Sequence, residues 1–306
     1  MHNKYFVAVL MLFITACSWG GMYHVAKATL PIVDAFWLTV IRCSFTALFF
    51  IPFLIWREGL AALRFEQHSI AIWWYGALGF AVFNYFVFFG LGYSQPEHGA
   101  IMMALMPLIA ALIGWVSNGQ RPPGYTLVLI ILALAGVLLV VTRGNFTVLL
   151  QSKSTFGDVL ILFGATAWVL YTRSAPRFRG WSSLRFTTLT VLAGTVSTLI
   201  ITGTLTAFGV AHVPHLTLLP DLTWHIVYIV GLATIVAVLF WNQAIRVVGP
   251  INGVLFINLV PVSAFIIGIT VGNKLYPLEL VGTALILIAL VANNLFARQQ
   301  RVRLTL

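Results

Sequence analysis

Ten runs of mainly apolar residues follow one another along the chain, parted by short polar breaks. They fall near 5–27, 35–56, 70–93, 98–117, 124–142, 156–173, 185–208, 222–247, 250–272 and 277–297. A helix climbs about 1.5 Å per residue and a bilayer's hydrocarbon core is about 30 Å thick, so about 20 such residues cross it. The pattern predicts an all-α integral membrane protein with ten transmembrane helices. The backbone of each run must pair within its own segment, because lipid offers no hydrogen-bond partners. The longest breaks, around 57–69, 143–155, 174–184 and 209–221, leave no room for an extramembrane domain.

The breaks carry charge unevenly. With the N-terminus cytoplasmic, one side holds Lys4, Arg57, Arg64, Arg121, Arg173, Arg177, Arg179, Arg185, Arg246, Arg298, Arg301 and Arg303. The other side holds Lys27, Arg143, Lys153 and Lys274, and Arg42 stays within a span. Twelve against four sets both termini on the cytoplasmic side. Five of the acidic residues, Asp34, Glu97, Asp158, Asp221 and Glu279, fall on the outer side.

The start, Met1-His2-Asn3-Lys4 and then an apolar run, resembles a secretion signal, and Ile14-Thr15-Ala16-Cys17 resembles a lipoprotein cleavage box. Apolarity continues to Ala26, far enough to span, so this segment is read as the first transmembrane helix.

The chain also repeats itself. Pro96, Gly99, Leu105, Pro107 and Gly114 recur as Pro250, Gly253, Leu259, Pro261 and Gly268, each 154 residues later. Upstream, Ala16 and Trp19 recur as Ala165 and Trp168 at a spacing of 149. The two copies divide the chain into 1–147 and 148–306, each with five spans. An odd number forces the second copy to enter the membrane inverted, a construction used by secondary transporters.

Composition agrees: 60% of the residues are apolar and 8% charged, where soluble domains carry about a quarter charged. The net charge of +10 could suggest nucleic acid, but it is spread over the cytoplasmic breaks with no basic-aromatic module. Its expected partners are lipid headgroups. Cys17 and Cys43 lie in apolar runs and imply no disulfide framework.

Trp19-Gly20, Arg42 and the Pro96–Pro107 block in the first copy, with Trp168, Trp241 and the Pro250–Pro261 block in the second, resemble the drug/metabolite transporter superfamily. The length, span number and repeat resemble its ten-span EamA-type exporters, and among them the YddG-type exporters of aromatic and other amino acids. The resemblance implies a central cavity surrounded by spans 1, 3, 4, 6, 8 and 9, braced by spans 2, 5, 7 and 10. It also implies a bacterial inner membrane as location and a monomer as working unit.

Several aromatics sit deep in spans instead of at the interfacial ends. Trp19 and Tyr23 share a face of span 1, and Trp168 and Tyr171 a face of span 6, so symmetry predicts two facing Trp/Tyr pairs. Their π faces suit an apolar side chain or an ammonium group, though helix packing would use them equally well. Asn84, Asn242 and Asn258 are amides in apolar sequence and must find partners. A zwitterionic cargo would supply them, as would interhelical hydrogen bonds. Tyr85 and Trp241 flank these amides. Pro107 and Pro261 interrupt spans 4 and 9 at matching positions and are candidate hinges, each freeing a carbonyl one turn earlier. Arg42 is expensive at its depth and is assigned a structural or gating role. His24 and Lys27 are expected at the cavity mouth.

All seven acidic residues sit at span ends or in breaks, with none in the middle of a span. A proton-coupled exporter commonly needs a titrating membrane carboxylate, so uniport or exchange is expected. The same absence disfavours a multidrug or organic-cation exporter, the alternative reading. Span 9 carries no Lys or Arg, which argues against phosphorylated cargo. No HExxH, paired intramembrane aspartates, GxSxG or phosphate loop is present, so no enzyme, metal or cofactor is implied.

Overall fold

The fold is described from a computed structural model that covers residues 2–119, 121–145, 153–178, 180–214, 219–248, 256–274 and 276–305. All regular elements among these residues are helical. In chain order they are α1 (His2–Thr29), α2 (Ala35–Glu58), α3 (Ser69–Gly76), α4 (Phe83–Tyr93), α5 (Pro96–Ala104), α6 (Met106–Asn118) and α7 (Gly124–Thr142). They continue as α8 (Lys153–Ser174), α9 (Ser183–Ala207), α10 (Leu219–Ile226), α11 (Ala237–Val248), α12 (Leu259–Thr270) and α13 (Pro277–Thr305).

Seven of the described helices or helix runs are long and apolar enough to cross a membrane. An eighth forms if Pro96–Ala104 and Met106–Ser117, bent by 42° at Leu105, make one span. Leu259–Thr270 and Pro277–Asn293 are shorter apolar helices. The protein is a multi-pass membrane protein. The predicted ninth span begins at 250, and its Pro250 and Gly253 lie outside the described residues.

Two spans are widened in mid-course. α3 runs into α4 through π-helical turns at Ala77–Val82, and α10 runs into α11 through π-helical turns at Val227–Val236. Shifting 77–82 by the repeat spacing of 154 gives 231–236, inside the second segment. Such turns are rare, and they recur here at the spacing of the sequence echo.

The chain forms two compact units. The first takes Met1–His24, Tyr93–Asp158 and Val236–Leu306, and the second takes Val25–Gly92 and Val159–Ile235. Both draw on both halves of the sequence. In the first unit α7 lies along α13 and α12 packs on α5. The α7–α13 crossing is close because neither side has a side chain there: a Cβ on Gly136 would meet the Gly282 carbonyl at 2.6 Å, and one on Gly282 the Gly136 carbonyl at 2.5 Å. Small residues permit such approach where no hydrophobic force separates helix from lipid. In the second unit α9 packs on α2 and α3. Asp34 caps α2 there, accepting from Trp37 N at 2.8 Å and from His212 N at 2.6 Å.

The same helix crossing occurs once in each unit. In the first, Thr15 Oγ1 donates to the Ala237 carbonyl at 3.3 Å. In the second, a Cβ on Gly164 would lie 3.1 Å from the Phe83 carbonyl. Gly164 lies 149 residues after Thr15 and Ala237 lies 154 after Phe83, the two spacings of the sequence echoes. α1 thus crosses α11, and α8 crosses α4.

Candidate functional site

In the first unit, α1, α11 and the stretch opening α12 bring several predicted residues together. Trp19 and Trp241 approach with ring centroids 5.5 Å apart. Ser263 Oγ donates to the Ala16 carbonyl at 3.3 Å, tying α12 to α1. Gly20 makes this contact possible, because a Cβ there would lie 2.7 Å from the Val260 carbonyl. Asn258 ends the short break before α12; it is buried, and its Nδ2 donates to nothing. Asn242 follows Trp241 but is exposed, and Tyr23 is buried.

In the second unit, the predicted polar residues are committed to protein partners. Asn84 Oδ1 accepts from Arg42 Nη1 at 2.6 Å, and Asn84 Nδ2 donates to the Phe80 carbonyl at 2.7 Å. Arg42 Nε donates to Thr234 Oγ1 at 3.2 Å, and its guanidinium lies 5.7 Å from the Phe88 ring centroid. Arg42 therefore links the two spans that carry π-helical turns. Tyr85 donates to the Thr198 carbonyl at 2.9 Å and adjoins Thr202 Oγ1. Tyr171 stacks on Phe186 and rests against Gly79, where a Cβ would meet its ring at 2.6 Å. Trp168 packs on Phe83 at 4.9 Å between centroids. Lys27 Nζ caps α4, donating to the carbonyls of Leu91 at 2.6 Å and Gly92 at 2.9 Å.

The proline expectation changes in detail. Pro107 lies in the first turn of α6, just past the break at Leu105, where its missing N–H would have had no helical partner. Pro261 lies in the first turn of α12, after the break at Asn258.

The acid expectation is corrected. Glu97, Asp158 and Glu279 do sit at helix ends, yet they are 3%, 2% and 2% exposed. Position along a span sets depth, whereas enclosure depends on which helix ends converge. Here the ends of α5, α7, α8 and α13 converge in the first unit. His98 Nδ1 faces Asp158 Oδ2 at 3.1 Å and its Nε2 faces Glu279 Oε1 at 3.4 Å. Ser94 donates to the other Asp158 oxygen. Arg143, closing α7 with a left-handed φ of 50°, donates from Nε to Glu279 Oε1 at 2.6 Å and covers the Tyr276 ring at 4.0 Å. A carboxylate only accepts, so a ring donating from both nitrogens satisfies both contacts.

Glu97, one residue earlier, meets a different set. Its Oε1 accepts from Asn273 Nδ2 at 2.7 Å, and its Oε2 has no partner. His24 Nε2 stands 3.9 Å from Oε1 while donating to the Ala264 carbonyl at 2.8 Å. Gly268 makes room, since a Cβ there would lie 1.9 Å from Glu97 Oε1. One sequence signal pointed here: Glu97 and His98 correspond across the repeat to Ile251 and Asn252, so the first copy carries ionisable groups where the second has none.

Apolar spans with internally satisfied backbone and polar groups gathered at helix crossings mark a multi-pass membrane protein. The EamA-like transporter family model matches residues 6–142 and again 155–295, and the chain belongs to that family. Two Bacillus subtilis (strain 168) proteins are similar over nearly their whole length. The uncharacterized transporter YrdR is 32% identical over 97% of this chain and 94% of its own, and the uncharacterized transporter YyaM is 29% identical over 93% and 92%. An uncharacterized transporter of Archaeoglobus fulgidus is 25% identical over 82% and 84%. A solved crystal structure shares the fold with a TM-score of 0.66 at 19% identity, covering 95% of this chain and 98% of that one.

Proposed function

We infer that this transporter exports neutral and aromatic amino acids by alternating access, its cargo leaving down its gradient or in exchange. The observation carrying the reading is Asn258: a buried amide donor with no partner among the described residues, at the start of the helix that Ser263 ties to α1, which carries Trp19. A cargo carboxylate would satisfy that donor, and the indole faces suit its side chain. Asn242, exposed beside Trp241, is a second polar contact, with Tyr23 on the same unit. Within the second unit, Asn84, Tyr85, Trp168 and Tyr171 engage the partners described above. Pro107 and Pro261 are its pivots, and Arg42 tethers the π-helical spans.

Ten spans in two inverted five-span copies, 1–147 and 148–306, accommodate this cycle. The matched π-helical segments and the matched Thr15–Ala237 and Gly164–Phe83 crossings support that reading. The Lys/Arg asymmetry supports a bacterial inner membrane with both termini cytoplasmic, and a monomer suffices for the cycle.

The test is counterflow in proteoliposomes loaded with labelled phenylalanine, challenged with each of the twenty amino acids. Neutral and aromatic amino acids should compete, and Trp19→Ala should cut exchange by about ten-fold, equivalent to about 1.4 kcal/mol. Competition by lipophilic cations with none by amino acids would replace this reading with the organic-cation one. The buried Glu97 gives that alternative the anion it lacked on sequence alone.

A further inference from the structure

The expectation of an uncoupled carrier rested on the lack of a carboxylate within a span, and burial of Glu97 removes that ground. Oε1 can accept from Asn273 whether or not the carboxyl carries a proton. Oε2, buried and without a hydrogen-bond partner among the described residues, can gain or lose a proton without breaking any described hydrogen bond. His24 holds the Ala264 carbonyl through Nε2, and that same nitrogen stands 3.9 Å from Glu97 Oε1. Asn273 is exposed, which places Glu97 one residue from the surface.

The remaining groups around the site are few. Of the elements packed on α5, α12 brings no acid or base and α7 brings Tyr125 alone. α13 brings Glu279, which His98 and Arg143 engage, and Lys274 beside Asn273 is exposed. The groups that touch Glu97 come from α1, α12 and the turn after α12, while Glu97 sits in the first turn of α5, whose far end meets the 42° bend. A movement of α5 against α12 would alter what the carboxyl touches. A ligand biases a conformational equilibrium only through such a difference between states.

We propose that Glu97, with His24 beside it, is a proton-binding site, and that cargo movement through this carrier is linked to the proton held there. The inference rests on the carrier reading above and adds an ion to its cycle. The step is proton transfer alone: an Oε2–H bond forms as a proton arrives from the Asn273 side and breaks as it leaves, with no electron moved.

Two measurements on the full-length protein test it. The first needs no cargo: infrared difference spectra between acid and alkaline pH should show a carboxylic-acid C=O band in wild type. Glu97→Gln, which keeps an acceptor for Asn273, should lack that band, and His24→Gln should move its midpoint. The second uses proteoliposomes containing the pH dye pyranine. External phenylalanine should drive a proton flux in wild type that Glu97→Gln abolishes, while exchange of labelled phenylalanine persists in the variant. A spectrum unchanged by Glu97→Gln would overturn the proton site. Phenylalanine flux in wild type with no dye response would overturn the linkage. Loss of exchange together with proton flux would overturn it too, marking Glu97 as a contact for the cargo's ammonium. Absence of phenylalanine exchange in wild type would sink the amino-acid reading and leave the infrared result to decide the proton site.

Discussion

Glu97 and His98 are adjacent on one helix and almost equally enclosed, at 3% and 2% exposure, yet their surroundings are opposite in kind. Successive helical residues point about 100° apart, so each meets a different set of helix ends. Around His98 each ring nitrogen faces a carboxylate, and both oxygens of Asp158 and of Glu279 have partners. Two acids are set against Arg143 and the ring. Around Glu97 one oxygen is held and the other is not. Burial alone therefore does not separate a bracing ionisable group from a working one. The saturation of its partners does.

The largest expected effect breaks the saturated side. His98→Leu strands Asp158 and Glu279 without their shared partner, and removing one member of a buried ion network costs about 3–5 kcal/mol. Thermal unfolding in detergent should fall steeply, and an unchanged midpoint would mean the cluster is not what braces these helix ends. Next, Gly268→Ala puts a methyl where Glu97 Oε1 lies and should cost about 1–3 kcal/mol by overpacking. It should also disturb the infrared band of Glu97, whereas Gly203→Ala, with open space around it, should do neither. Arg143→Gln should cost about 1 kcal/mol, less than His98→Leu, because that side chain is 30% exposed and its pairing is partly screened. The smallest effect is on the unsaturated side: Glu97→Gln should leave stability within about 1 kcal/mol, since shape and the Asn273 contact survive. A collapse of folding in that variant would erase the contrast between the two neighbours.

Much of the fold was legible in the sequence because span length and apolarity are local properties. The predicted runs from 5–27 to 222–247 coincide with described helices, counting α5 and α6 together. Segments 154 residues apart in the chain both carry π-helical turns. The site was legible only in part. Trp19 and Trp241 do meet, but sequence symmetry had paired Trp19 with Trp168, and nothing local said that α1 would cross α11. Asn84 and Tyr85 engage Arg42 and Thr198, which lie far off in sequence, so these contacts could not be read locally. Glu97, Asp158 and Glu279 were passed over for the same reason: convergence of helix ends is a non-local fact.

The interleaving of the two units also bears on how the chain is made. The second unit has all its segments once synthesis passes Ile235, whereas the first opens with Met1–His24 and needs Val236–Leu306 to finish. Helix α1 must therefore wait in the bilayer for α13 before its unit is complete. A gene cut between the copies would yield two fragments, neither holding a whole unit, and their co-expression would be the only route back to an assembled protein.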